Sequence, residues 1–175
     1  MKKILVLGAS SFAGSSFFQF LYEKFNYNLL GTYNSKKNLN KLFSDKNILN
    51  KLVKLDLNIQ NSKLLKIVNK FKPEFIFDFA SVCMVNESWK FRKYYNDVNY
   101  LSKIKLTNFL KNSAYLKKYI YISTPEIFGS SNKIDEDSTN FKPSTPYALS
   151  KLKAEKLFLK LYKKYSFPII ICRFS

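Results

Sequence analysis

The chain contains no histidine, only two cysteines and only two arginines, Arg92 and Arg173. Without histidine or a cysteine cluster there is no conventional zinc ligand set and no base for a Ser-His-Asp triad. Cys83 and Cys172 both lie in apolar, strand-like surroundings, which predicts buried free thiols and a reducing, cytoplasmic setting. Long apolar runs are also missing. Ile4–Leu7 is too short for a signal-peptide core, and FIFDFASVCMV is interrupted by Asp78, so no membrane span is expected. No internal repeat stands out.

Lysine is abundant. The net charge is +18, which raises the question of a nucleic-acid or anionic-membrane partner. The lysines are scattered, with no run longer than two, and arginine, suited to bidentate phosphate and guanine contacts, is scarce. Asn, Ile, Phe and Tyr are in excess alongside Lys, as an AT-rich genome would produce. The expectation is a codon-driven basic surface with no dedicated nucleic-acid site.

At 175 residues the chain suits one domain with a substantial core. Short apolar runs at Ile4–Leu7, Leu29–Tyr33, Lys51–Leu55, Phe75–Phe79, Tyr119–Ser123 and Pro168–Arg173 read as strands. Several are apolar on both faces, as parallel strands covered on both sides must be. Helical patterns at Phe12–Phe25, Ser62–Phe71, Tyr94–Asn112 and Tyr147–Tyr165 lie between them. The alternation predicts an α/β doubly wound parallel sheet of the Rossmann dinucleotide-binding type, with ligand at the carboxyl ends of the strands. The polar stretch Phe128–Pro143 reads as a surface loop beside that site.

Three stretches carry chemistry. In Gly8-Ala-Ser-Ser11-Phe12-Ala-Gly14 a glycine follows the first strand and another lies one helical turn on, but Ser11 stands where a middle glycine is expected. The loop either holds a pyrophosphate at the helix N-terminus or is a plain strand-to-helix turn. In Tyr147-Ala-Leu-Ser-Lys151 the spacing puts both side chains on one helix face. A nearby ammonium favours phenolate, making the tyrosine a general base, although a surface Tyr/Lys pair fits the spacing equally. Thr124-Pro125-Glu126 follows a buried strand, either as site residues or as a capping cluster.

Together, in this order, the stretches resemble the extended short-chain dehydrogenase/reductases, in particular the NAD(P)-dependent epimerase/dehydratase family. Leu55-Asp56-Leu57 is similar to the family's segment near adenine, and Phe79-Ala80-Ser81 to its strand end beside the cofactor. Asn99 matches an Asn-Val-x-Gly-Thr helix, with Ser102-Lys103 in place of Gly-Thr. PSTPYALSK resembles the Ser-Pro-Tyr-x-x-x-Lys segment, and STPEIFG resembles Ser-Thr-Asp-Glu-Val-Tyr-Gly of dTDP-glucose 4,6-dehydratase-like proteins. Pro125 replaces the aspartate that supplies an acid in that subgroup.

The resemblance implies oxidation of a nucleotide-sugar at C4 to a 4-keto intermediate, then dehydration or epimerisation. Tyr147 is the implied base, with Lys151 depressing its pKa, Thr124 on the reacting oxygen and Glu126 a base at C5. It implies a cofactor set of Gly8, Ser11, Phe12, Gly14, Asn34, Asp56, Leu57, Phe79, Ala80, Ser81, Asn99, Tyr147 and Lys151. No carboxylate follows the second strand, and Ser35, Lys36 and Lys37 could meet a 2′-phosphate. That charge argument leans to NADP, whereas the dehydratase resemblance implies NAD. The family usually continues into a C-terminal substrate-binding segment and can pair as a homodimer, so residues 1–175 are expected to be its dinucleotide-binding domain alone. The competing expectation is a non-catalytic dinucleotide- or protein-binding module of the same descent.

Overall fold

The computed structural model of the chain describes residues 1–35, 39–58, 61–130 and 139–174. Its elements in chain order are β1 (Lys3–Leu7), α1 (Phe12–Lys24), β2 (Asn28–Tyr33), α2 (Leu39–Leu42), β3 (Leu52–Lys54), α3 (Asn61–Phe71), β4 (Phe75–Asp78), α4 (Val85–Lys90), α5 (Arg92–Asn96), α6 (Ser102–Leu110), β5 (Lys118–Ser123), α7 (Pro146–Tyr165) and β6 (Ile169–Arg173). Short 3-10 turns occupy Lys46–Lys51 and Pro125–Phe128, and a π-helical turn, Asp97–Leu101, joins α5 to α6.

All six strands pair in parallel, in the order β3-β2-β1-β4-β5-β6. The two-faced apolar character of β1 explains its central place. Leu5 and Leu7 enter one core layer with Ile76, Leu106, Tyr119, Tyr121, Phe158 and Phe167. Ile4 and Val6 point the other way, into a layer with Phe18, Leu21, Leu29 and Ile48. Consecutive residues of one strand thus serve opposite faces, as a pleated strand between two helix layers requires. The strand order reverses between β1 and β4, and a crevice opens there at the carboxyl ends.

All six expected strands are present, shifted by at most a residue or two at their ends. The segment Tyr94–Asn112 is helical through Leu110 as expected, with a π-helical turn joining α5 to α6. One expectation needs correction. The cysteines are not both buried in strands. Cys83 is exposed in the segment after β4, and Cys172, in β6, is only partly covered. The strand expected over Phe75–Phe79 ends its ladder at Asp78, and Phe79 to Val82 turn along the crevice before Cys83. Lys36, Lys37 and residues 131–138 of the expected loop Phe128–Pro143 lie outside the described residues. No described helix is long and apolar enough to cross a membrane.

Candidate functional site

The crevice is built by the loops that leave the carboxyl ends of four strands. Gly8, Ser10 and Ser11 come from the turn after β1, and Thr32, Tyr33 and Asn34 from the end of β2. Leu55, Asp56 and Leu57 follow β3, Phe79 to Val82 follow β4, and Tyr94 and Val98 close the wall. Eight of the expected cofactor residues therefore share one cleft: Gly8, Ser11, Asn34, Asp56, Leu57, Phe79, Ala80 and Ser81.

The turn after β1 explains both glycines. Gly8 has φ +74°, and a Cβ there would lie 2.8 Å from the Cα and N of Ala80. Only glycine permits this backbone and this approach to β4. Its N–H donates to the buried Thr32 Oγ1 at 3.1 Å, a partner that sequence inspection missed. Gly14 presses on the carbonyl of Gly8, so a side chain there would push α1 off the strand.

Ser11 is the N-cap of α1. Its Oγ accepts from the Gly14 N–H at 3.1 Å, so it satisfies one donor of the first turn and keeps its own O–H to give. The remaining first-turn N–H groups are left for an anion. Phe12, the first residue of α1, is 93% exposed and its ring does not line the cleft.

Beside the cleft a second cluster forms where β5 meets α7. Thr145 caps α7 by accepting from the Ala148 N–H, and Pro146 fits the first turn because no N–H is needed there. The cap places Tyr147 inward, 7% exposed, hydrogen-bonded to Thr124 and edge-on to Tyr95 with ring centroids 6.5 Å apart. Thr124 caps the 3-10 turn by accepting from Glu126 N–H, and Pro125 takes its first position. Pro125 is thus explained locally, and the cluster is a capping motif as well as a site. Glu126 is near enough to act on the Tyr147 phenol.

The electrostatics depart from the expected Tyr–Lys partnership. Lys151 is 2% exposed; its ammonium donates to the Ile122 carbonyl at 2.6 Å and lies 4.6 Å from the Tyr121 ring centroid. Burial, and then the Lys103 charge, bring Lys151 down to about 7. Burial pushes the Tyr147 phenol up to about 12; Thr124 opposes the rise, and Glu126 adds to it. Lys151 is not among the groups that move the phenol. The expected depression of Tyr147 by Lys151 is therefore not what this arrangement produces: a lysine that loses its proton near 7 carries no charge where a phenol near 12 titrates.

Asn99 does not line the cleft; it braces it. Sitting in the π-helical turn, its amide accepts from Val82 N–H at 2.9 Å and donates to Val82 O and to Ser150 Oγ. One side chain thereby ties the cleft wall to α7. Lys103, read from the sequence only as a replacement in the Asn99 helix, has Asp78 as its partner. The signal was visible as a carboxylate inside an apolar strand.

A crevice at the reversal of a doubly wound sheet, entered by a glycine turn and a capped helix, defines the chain as an α/β protein of Rossmann architecture. The NAD dependent epimerase/dehydratase family matches residues 4–175, and the chain belongs to that family. It is 33% identical over 190 residues to a dTDP-D-glucose 4,6-dehydratase of Dictyostelium discoideum, covering 99% of this chain and 43% of that one. A dTDP-D-glucose 4,6-dehydratase of Mus musculus is 31% identical, with 99% and 50% covered. The chain thus spans about half the length of the curated relatives it matches. Among solved structures, UDP-glucuronic acid 4-epimerase from Bacillus cereus, in complex with UDP-glucuronic acid and NAD, aligns with a TM-score of 0.79 at 28% identity. That alignment covers 99% of this chain and 56% of the epimerase. A dTDP-glucose 4,6-dehydratase from Bacillus anthracis in complex with NAD aligns with a TM-score of 0.81 at 25% identity, covering 99% and 54%.

Proposed function

We propose that the chain binds an NAD-type dinucleotide in this cleft and carries the oxidation half-site of a nucleotide-sugar 4,6-dehydratase or 4-epimerase. The observation that carries the reading is the cleft itself, in which the Gly8 turn, the open end of α1 and the β3 and β4 loops converge beside Thr124, Tyr147 and Lys151. The similar B. cereus and B. anthracis proteins hold NAD, which supports NAD-type binding. Preference between NAD and NADP then depends on residues 34–37, where no carboxylate stands.

The residues fit the group. Gly8 presents no side chain, Ser11 Oγ–H and the first-turn N–H groups face a diphosphate, and Asp56 and Leu57 border the adenosine end. Bound, the nicotinamide supplies a hydride acceptor. The protein's part is proton handling. With its pKa at about 12, Tyr147 rests as a phenol and donates, aided by Thr124, to an oxygen at sugar C4. To take the C4 hydroxyl proton instead, it needs a positive charge beside it that favours phenolate, and protonated Lys151, here on the Ile122 carbonyl, is the chain's candidate for that role. Glu126, beside the phenol, is the chain's base for a C5 proton once a ketone has acidified it. Pro125 has no acid to give, so elimination needs a proton from elsewhere.

The test is calorimetric titration of NAD and NADP, then absorbance of reduced nicotinamide on adding dTDP-glucose or UDP-glucose. Saturable binding with reduction that is lost in Tyr147→Phe supports the full reading. Binding without reduction supports the non-catalytic dinucleotide-binding module, and no binding of either dinucleotide refutes the catalytic reading and that module together.

A further inference from the structure

Among the described residues, one fully buried ion pair is left unused by the mechanism. Lys103 Nζ donates to Asp78 Oδ1 at 2.9 Å, approaches Oδ2 at 2.7 Å and donates to Ala80 O at 3.0 Å. Asp78 also accepts from the Ala80 N–H at 3.1 Å and the Tyr119 hydroxyl at 2.6 Å. Both side chains are 1% exposed or less. Burying two charges is seldom a source of net stability, so a pair this completely enclosed calls for another role.

Its position supplies one. Residues 80–82 have left the β ladder yet form the cleft wall over which Gly8 passes. Side chains replace the missing strand neighbour: the pair holds both backbone polar groups of Ala80, as Asn99 holds both of Val82. Lys103 and Asn99 are four residues apart on the α5–α6 path and act on alternate wall residues, with Ser81 between them on the cleft.

We infer that Asp78 and Lys103 are a positioning pair for the dinucleotide, clamping Ala80 so that the β4 wall is set before ligand arrives. The inference rests on the dinucleotide reading of the cleft. Neither residue touches the ligand; they act through Ala80.

The test compares the wild-type chain with Asp78→Asn/Lys103→Met. This double variant removes both charges, while the amide introduced at position 78 still accepts from the Ala80 N–H and meets the Tyr119 hydroxyl. The double variant keeps a cooperative melt, but its NAD dissociation constant rises by about tenfold or more, the scale of one lost hydrogen bond to a charged donor. Hydrogen exchange at the Ala80 and Val82 amides of the unliganded protein accelerates, while Leu5 and Ile76 keep their rates. Asp78→Asn/Lys103→Gln, which restores a donor toward Ala80 O, regains part of the affinity. Should the methionine variant not fold, Tyr119→Phe, losing only its bond to Asp78, carries the same test at about threefold. Wild-type affinity in a folded variant overturns the inference, whether or not exchange has changed. A wild-type chain that takes neither dinucleotide refutes the functional reading and the clamp's ligand together, and the exchange measurement alone then reports whether Ala80 is held.

Discussion

Replacing Lys151 by methionine should make the protein more stable at neutral pH while removing its candidate chemistry. Lys151 is buried, and its folded pKa of about 7 lies far below the 10.5 of a free lysine. Between those values the unfolded chain binds the proton more tightly than the folded one. The sign follows: the lysine destabilises the fold below pH 7, and this penalty fades as pH rises toward 10.5. The gap corresponds to roughly 4 kcal/mol at pH 7 and falls by about 2 kcal/mol by pH 9. Methionine has similar length and no charge, but it gives up the bond to the Ile122 carbonyl, which costs about 1–3 kcal/mol.

The net expectation for Lys151→Met is about 2 kcal/mol of added stability at pH 7, or roughly 5 °C in Tm for a domain of this size. Near pH 9 the two proteins should melt together. Paired thermal melts from pH 6 to pH 9.5 isolate the effect, since every other titrating group is shared. Parallel curves across that range would refute the argument, as would a variant less stable than wild type at pH 7. A positive result would mean that the site holds a charge at the expense of the fold, the usual sign that a residue is kept for function.

Gly8→Ala should destabilise by at least about 2 kcal/mol and weaken NAD binding more than about tenfold, because its positive φ and the Ala80 backbone both exclude a methyl; urea melts and calorimetry check the pair of effects. Phe158→Ala should cost about 3–5 kcal/mol in urea unfolding, since Phe158 is fully buried and packs on Tyr119, Tyr121 and Phe167. Glu155→Ala strips the bidentate partner of Arg173, which ties α7 to β6, and should cost about 3 kcal/mol, read by the same melts. Raising pH should leave Tyr147 protonated until near 12, so its tyrosinate absorbance appears only after that of exposed tyrosines, and early ionisation of Tyr147 would refute its burial.

Much of the fold could be read from periodicity because β1 and β4 each serve two core layers and so carry apolar residues on both faces. What periodicity could not show was the burial of residues past a strand's end. The strand expected over Phe75–Phe79 stops at Asp78, yet the apolar residues after it are not core: Phe79 to Val82 become cleft wall and Cys83 is exposed. The π-helical turn at Asp97–Leu101 was equally hidden, because one extra residue in a helix leaves the apolar pattern almost intact. Asn99, within that turn, holds both backbone polar groups of Val82.

The candidate site shows the same division between residue type and orientation. Spacing correctly brought Tyr147 and Lys151 onto one buried helix face, and Gly8 and Gly14 into a close turn. Spacing alone does not say which carbonyl an ammonium will find. Lys151 donates to the Ile122 carbonyl at 2.6 Å, and with burial bringing it down to about 7 it is uncharged where the phenol titrates, which leaves the phenol under the influence of burial, Thr124 and Glu126. The Lys103 charge, itself held by Asp78, then acts on Lys151 from behind and adds to the lowering that burial begins. Two lysines on different helices are thus coupled through one strand. Asp78 opposes that lowering, so the protonation of Lys151 answers first to burial and then to the Lys103–Asp78 pair, neither of which the Tyr-x-x-x-Lys spacing shows.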